Sequence, residues 1–134
     1  MVGVLVVTHG GVASELVKAV RRIVGEVQNL QSVSIGWDDD VEQARRQIQA
    51  GIEGVDQGQG VLILTDMFGG TPTNLSLSFL QRDKVEIITG VNLPMLIKFY
   101  NLKNQSDVHA VAQKIKDQGQ KSIYVATDVL GRTQ

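Results

Sequence analysis

The stretch Val2-Gly3-Val4-Leu5-Val6-Val7-Thr8-His9-Gly10-Gly11 decides how the rest of the chain is read. Its apolar run has the length of a strand and no polar alternation, as expected of a strand buried on both faces of a parallel sheet. Behind the Gly-Gly pair, Val12, Leu16, Val17, Val20, Ile23 and Val24 fall on one helical stripe that stops near Gly25. His9 therefore stands where the carboxyl end of a strand faces the amino end of a helix. Open parallel α/β sheets bind ligands and anions at that edge. An imidazole there can serve as base, metal ligand or nucleophile.

Outward from this unit the same alternation repeats. Val33, Ile35 and Trp37 alternate as a second strand, and Asp38-Asp39-Asp40 offers helix caps, with Asp39 and Glu42 in capping-box spacing. Val41, Ala44, Ile48, Ile52 and Val55 make the apolar face of helix two. The turn Gly58-Gln59-Gly60 leads to a third strand over residues 61–64, ending at Thr65-Asp66. Thr71-Pro72 reads as N-cap and first residue of a helix burying Leu75 and Phe79, and residues 85–88 form strand four. Pro94 opens a short helix carrying Met95, Leu96 and Phe99. Ser106 or Asp107 caps another, with Val108, Val111, Ala112 and Ile115 inward and Gly119 closing it. Residues 122–126 read as a fifth strand, and the polar tail over 128–134 as a frayed end. Alternating strands and helices predict a single doubly wound α/β domain over residues 1–134, with helices on both faces. Right-handed crossovers that reverse after strand two give a mainly parallel sheet of order 2-1-3-4.

Composition narrows the function classes. At 134 residues the chain has room for one ordinary core. Thirteen basic against fourteen acidic residues leave no broad basic face, so nucleic acid and anionic membrane are not expected partners. The absence of cysteine excludes disulfides, thiolate zinc sites and a cysteine nucleophile, and fits a reducing cytoplasm. Apolar runs are too short to span a bilayer, and no cationic segment precedes the first of them. A soluble cytoplasmic protein is expected.

The strand order has a chemical consequence: it brings His9 and Asp66 together across the crevice between strands one and three. A carboxylate beside an imidazole takes a hydrogen bond from one ring nitrogen and leaves the other nitrogen's lone pair facing solvent, the arrangement a histidine nucleophile needs. The loop Met67-Phe68-Gly69-Gly70-Thr71-Pro72 supplies glycines that let backbone amides approach an anion, a Thr71 hydroxyl and a helix amino end. Gly10, Gly70 and Thr71 are thus the candidate phosphoryl-binding residues beside the catalytic pair His9 and Asp66. By contrast His109 shares a polar helix face with Gln113 and Lys116 and is expected to be exposed and inert. Asp38, Asp39 and Asp40 read as caps rather than as a metal cluster, and Asn74 and Asn92 as satisfying loop backbone groups. Phe68, Val12 and the 93–96 segment are apolar neighbours of the site that would form a docking rim wherever they are exposed. Neither a G-x-x-x-x-G-K-[ST] loop nor a G-x-G-x-x-G fingerprint is present, and no cofactor or metal is expected.

Three separated segments carry a family resemblance: Thr8-His9-Gly10, Asp66-Met67-Phe68-Gly69-Gly70-Thr71-Pro72-Thr73-Asn74 and Gly90-Val91-Asn92-Leu93-Pro94-Met95-Leu96. Together they resemble the mannose-family IIA component of the bacterial phosphoenolpyruvate:sugar phosphotransferase system, over nearly the whole chain. The resemblance implies that His9 accepts a phosphoryl group from the phosphocarrier HPr and passes it to a separate IIB protein, that Asp66 orients the imidazole, and that contact with the membrane components is only indirect. It further implies a homodimer, with the fifth strand exchanged or packed as an antiparallel edge. The Gly-Gly-Thr-Pro-x-Asn pattern favours the sugar-transport branch over the subgroup that serves dihydroxyacetone kinase. A regulatory phosphoprotein that signals through the state of His9 is the alternative. A small hydrolase has no G-x-S-x-G elbow to support it.

Overall fold

The computed structural model describes residues 1–102 and 104–131. Through β4 its elements alternate as expected, and three helices then follow: β1 (Gly3–His9), α1 (Val12–Val24), β2 (Leu30–Ile35), α2 (Val41–Val55), β3 (Val61–Thr65), α3 (Thr71–Leu77), β4 (Val85–Thr89), α4 (Leu93–Asn101), α5 (Val108–Lys121) and α6 (Ala126–Leu130). The four strands are all parallel, in the order β2-β1-β3-β4. Because successive strand residues point to opposite faces, Val4 and Val6 of β1 join one core with Val17 and Val20 of α1, and Leu5 and Val7 join another with Ala44 and Ile48 of α2. The first core also takes in Leu96 and Phe99 of α4 and Ile115 of α5, and the second takes in Leu75 of α3, so helices cover both faces. Burial on both sides explains why β1 and β3 read as unbroken apolar runs rather than alternating ones.

Several boundaries differ from expectation, each for a local reason. Trp37 lies beyond β2: Gly36 N–H donates to Asp39 Oδ2 at 2.6 Å and Asp39 N–H donates back to Gly36 O at 3.3 Å, closing a turn that ends the strand at Ile35. With Asp39 so occupied, Asp40 is the N-cap of α2, accepting from Gln43 N–H, while Glu42 pairs with Arg45. Gly70, extended at φ −88° and ψ 170°, is the N-cap of α3, so Thr71 and Pro72 fall one position further in. Gly119 does not close α5, which runs on to Lys121. A Cβ at Gly119 would lie 2.7 Å from Met95 Sδ, so the glycine serves the close packing of α5 on α4. Val12, Ile23 and Val41, placed on buried helical stripes by their spacing, are exposed.

The fifth strand is absent among the described residues. Ser122 is the C-cap of α5 and α6 begins at Ala126, leaving Ile123, Tyr124 and Val125 between two helices with no ladder to join. These residues have strand composition, but a strand exists only when a neighbour satisfies its backbone groups. All three are exposed. Of the tail expected to fray, residues up to Leu130 lie in α6 and 132–134 lie outside the described residues. No helix among the described residues is long and apolar enough to cross a membrane.

Candidate functional site

The register brings the two predicted site residues together. Val7 of β1 pairs with Thr65 of β3, so the residues just past that level, His9 and Asp66, emerge side by side at the carboxyl edge of the sheet. His9 Nδ1 lies 2.8 Å from Asp66 Oδ2, which also accepts the His9 backbone N–H at 3.0 Å. Asp66 Oδ1 accepts from Met67 N–H at 3.1 Å. An ionised carboxylate only accepts, so Nδ1 carries a proton, and in the neutral ring Nε2 keeps its lone pair. Burial alone would raise the Asp66 carboxyl. The hydrogen bonds from the His9 backbone and ring and the attraction of the imidazole outweigh that, holding it below the ordinary value of 3.8.

The turns on either side hold the pair in place. Gly10, at φ +52°, turns the chain from β1 into α1 in a conformation that a side chain would strain, and its N–H donates to Ile35 O at 2.8 Å. That amide is therefore already engaged. Thr8, fully buried, accepts from Ala13 N–H through Oγ1 at 2.7 Å and so ties the end of β1 to the first turn of α1. In the second loop Thr73 Oγ1 donates to the Met67 carbonyl and shares a 2.7 Å hydrogen bond with Thr65 Oγ1, pinning the loop to the end of β3. A hydroxyl has one proton, so Thr65 must be the donor of that second bond.

Gly70 lies against the Cε1–Nε2 edge of the imidazole. A Cβ there would sit 2.5 Å from His9 Cε1 and 2.9 Å from Nε2, so only glycine lets the loop close against the ring. Thr71 follows it, exposed at the first position of α3. One face of the imidazole is covered by a residue that sequence reasoning assigned only to a strand: Trp37 stacks on His9 with ring centroids 5.3 Å apart and planes inclined by 24°. The available signal was its position, two residues past the end of a strand on the ligand edge.

Other predicted neighbours divide. Phe68 and Val12 are exposed at 75% and 48%, with Met67 at 56%, and so form an apolar rim; Leu93 is half-buried and Met95 and Leu96 are core. Asn92 caps α4 by accepting from Met95 N–H and donates to Gly119 O, which is the backbone role expected of it. Asp40 caps α2 and Asp39 closes the turn on Gly36, and among the described residues no three His, Asp or Glu side chains are grouped to hold a metal ion. His109 is exposed on α5, with Nδ1 3.4 Å from Glu86 Oε2 of β4.

Comparison with known proteins agrees with this layout. A family model described as the PTS (phosphotransferase system) fructose IIA component matches residues 3–116. The fructose-specific EIIA component of Bacillus subtilis is 27% identical over 135 residues, spanning 100% of this chain and 92% of that protein. The sorbose-specific EIIA component of Lacticaseibacillus casei is 30% identical over 124 residues, 90% of this chain and 89% of the relative. The mannose-specific EIIAB component of Escherichia coli K12 is 31% identical over 98 residues, 72% of this chain but 30% of that longer protein. Among solved structures, the PTS IIA protein associated with the fucose utilization operon of Streptococcus pneumoniae superposes with a TM-score of 0.81 at 29% identity, over 96% of this chain and 95% of that one. EIIA from Streptococcus agalactiae shares the fold at a TM-score of 0.85 and 23% identity, over 96% and 99% of the two chains.

Proposed function

The chain belongs to the fructose- and mannose-type IIA components of the sugar phosphotransferase system, and on that premise we propose that His9 Nε2 carries a phosphoryl group taken from phospho-HPr and handed to a IIB component. The observation that carries this reading is the His9–Asp66 pair: Nδ1 is held at 2.8 Å by a carboxylate while Nε2 lies beside Gly70. The Nε2 lone pair forms the new N–P bond as the donor's N–P bond breaks and its electron pair returns to the donor nitrogen. The Nδ1 proton stays on the ring, and Asp66 balances the positive charge the ring acquires. Transfer of this kind asks the protein for alignment and for donors to the equatorial oxygens. The amides of Gly70 and Thr71 and the Thr71 hydroxyl are the proposed donors. Gly10, its amide engaged with Ile35, contributes the turn that aims His9.

Val12, Met67 and Phe68 form the proposed docking rim, where apolar contact with a partner would exclude water around the transferring group. The homodimer expected from the family is proposed to form through residues 123–125. Those residues are exposed and strand-forming, and they would add as an antiparallel strand to the free edge of β4. Sedimentation of the purified chain at about twice the monomer mass would support this, and a monomer at micromolar concentration would refute it.

Phosphotransfer itself is tested by incubating the protein with labelled phosphoenolpyruvate, enzyme I and HPr. Label should appear on His9 and be chased off by a IIB protein. An unlabelled wild type, or full labelling of His9→Ala, rules the reading out. Label that no IIB protein removes favours the signalling alternative.

A further inference from the structure

Trp37 is the only tryptophan in the chain. At 81% exposure it is among the most exposed large apolar side chains, yet one face of it lies on the His9 imidazole. An exposed indole is an unfavourable place to leave so much apolar surface, and nothing in the core requires it there. Its location is held by the turn that Asp39 closes through Gly36, which lifts it out of β2 and over the site. Its Nε1 edge reaches towards Gly10, 3.9 Å from where a Cβ on that residue would stand. The ring of His9 is thus bounded by a carboxylate at Nδ1, by backbone at the Cε1–Nε2 edge and by an aromatic face.

We infer that Trp37 is a positioning residue for the phosphoryl transfer proposed above, holding the plane of the His9 imidazole and favouring the cationic ring over the neutral one. The inference rests on that reading. When Nε2 forms its bond to phosphorus and Nδ1 keeps its proton, the ring turns from neutral to positively charged. The face of an indole carries negative charge density and attracts a cation stacked on it, whereas an aliphatic side chain of similar size only excludes water. Trp37 and Asp66 then act on the same charge from different directions, the carboxylate in the ring plane and the indole across its face. The stack is strengthened by phosphorylation, and the indole's own emission must register it.

The test uses Trp37→Phe, which keeps an aromatic face, Trp37→Leu, which keeps only apolar cover, and the emission of the wild type. Exposure of Trp37 means that both variants should fold, which circular dichroism checks. At equilibrium with phospho-HPr, Trp37→Leu should shift the distribution away from phosphorylated His9 by about two- to five-fold, the size of an exposed cation–π contact, while Trp37→Phe should stay near wild type. Emission of wild-type Trp37 should change on phosphorylation, and His9→Ala should abolish the response. Wild-type equilibrium in Trp37→Leu, or emission unchanged in a sample that mass spectrometry shows to be phosphorylated, would overturn the inference while leaving His9 as carrier. No phosphate on the wild type instead removes the carrier reading itself, and Trp37 falls with it.

Discussion

The two histidines of this chain each have a carboxylate partner, and the difference between their surroundings shows what makes an imidazole a site. His9 is one-fifth exposed, 2.8 Å from Asp66, and touched on its remaining sides by Gly70 and Trp37. His109 is 63% exposed, 3.4 Å from Glu86, on the surface of a helix whose other face is core. At that distance and exposure water competes for both partners, and the His109 pair fixes neither ring orientation nor tautomer. A carboxylate neighbour is therefore insufficient. The strand end matters because the sheet backbone holds His9 N–H and Asp66 in one frame, so that Oδ2 binds backbone and ring at once.

The comparison can be broken most directly by deletion. His9→Ala should abolish phosphoryl acceptance in the labelling assay, and His109→Ala should leave it unchanged; equal losses in the two would end the distinction. Asp66→Asn keeps the shape but loses the negative charge and turns one of the two accepting oxygens, which face His9 and Met67 N–H, into a donor, and transfer should slow by at least about a hundredfold in rapid-quench measurements. Gly70→Ala pushes a methyl into the Cε1–Nε2 edge, and a rate loss on the order of tenfold is expected with the fold retained in circular dichroism.

Acid should separate the two histidine regions more gently. Asp66 is held below its ordinary value of 3.8, so in the interval between its folded and unfolded values the unfolded chain binds the extra proton. Stability rises with pH through that interval, and the contribution of Asp66 is fully present above about pH 4 and lost as the pH falls through the lower, folded value. Chemical denaturation should therefore show the difference between wild type and Asp66→Asn shrinking in that acid range. A difference that does not shrink as the pH falls below 3.8 would contradict the geometry. The smallest effect belongs to Glu86→Gln, whose loss of an exposed pair should change stability by about 1 kcal/mol or less.

Much of this was legible beforehand because the signals are local or follow from chain topology. The apolar run before His9, the helical stripe after it and the apolar third strand before Asp66 state which elements form, and right-handed crossovers then leave few strand orders. That order alone brings His9 to Asp66. The polar role of His109 was legible for the same reason, since helical spacing assigns Val108 and Ala112 inward and His109 outward.

What escaped reading depended on which of several capable groups wins a contact in space. Asp38, Asp39 and Asp40 are chemically alike, and only the folded turn shows that Asp39 closes on Gly36 while Asp40 caps α2. Residues 122–126 have strand composition, but ladder pairing is a property of neighbours and none is within reach. By itself, then, the sequence determined the first four strands and the helices between them, the strand order and the histidine–aspartate pair, because periodicity and crossover handedness act along the chain. Only the tertiary structure decided that Gly70 closes on Nε2, that the Gly10 amide is engaged and that Trp37 covers the imidazole. Those are contacts across turns, set by where a few hydrogen bonds aim the backbone.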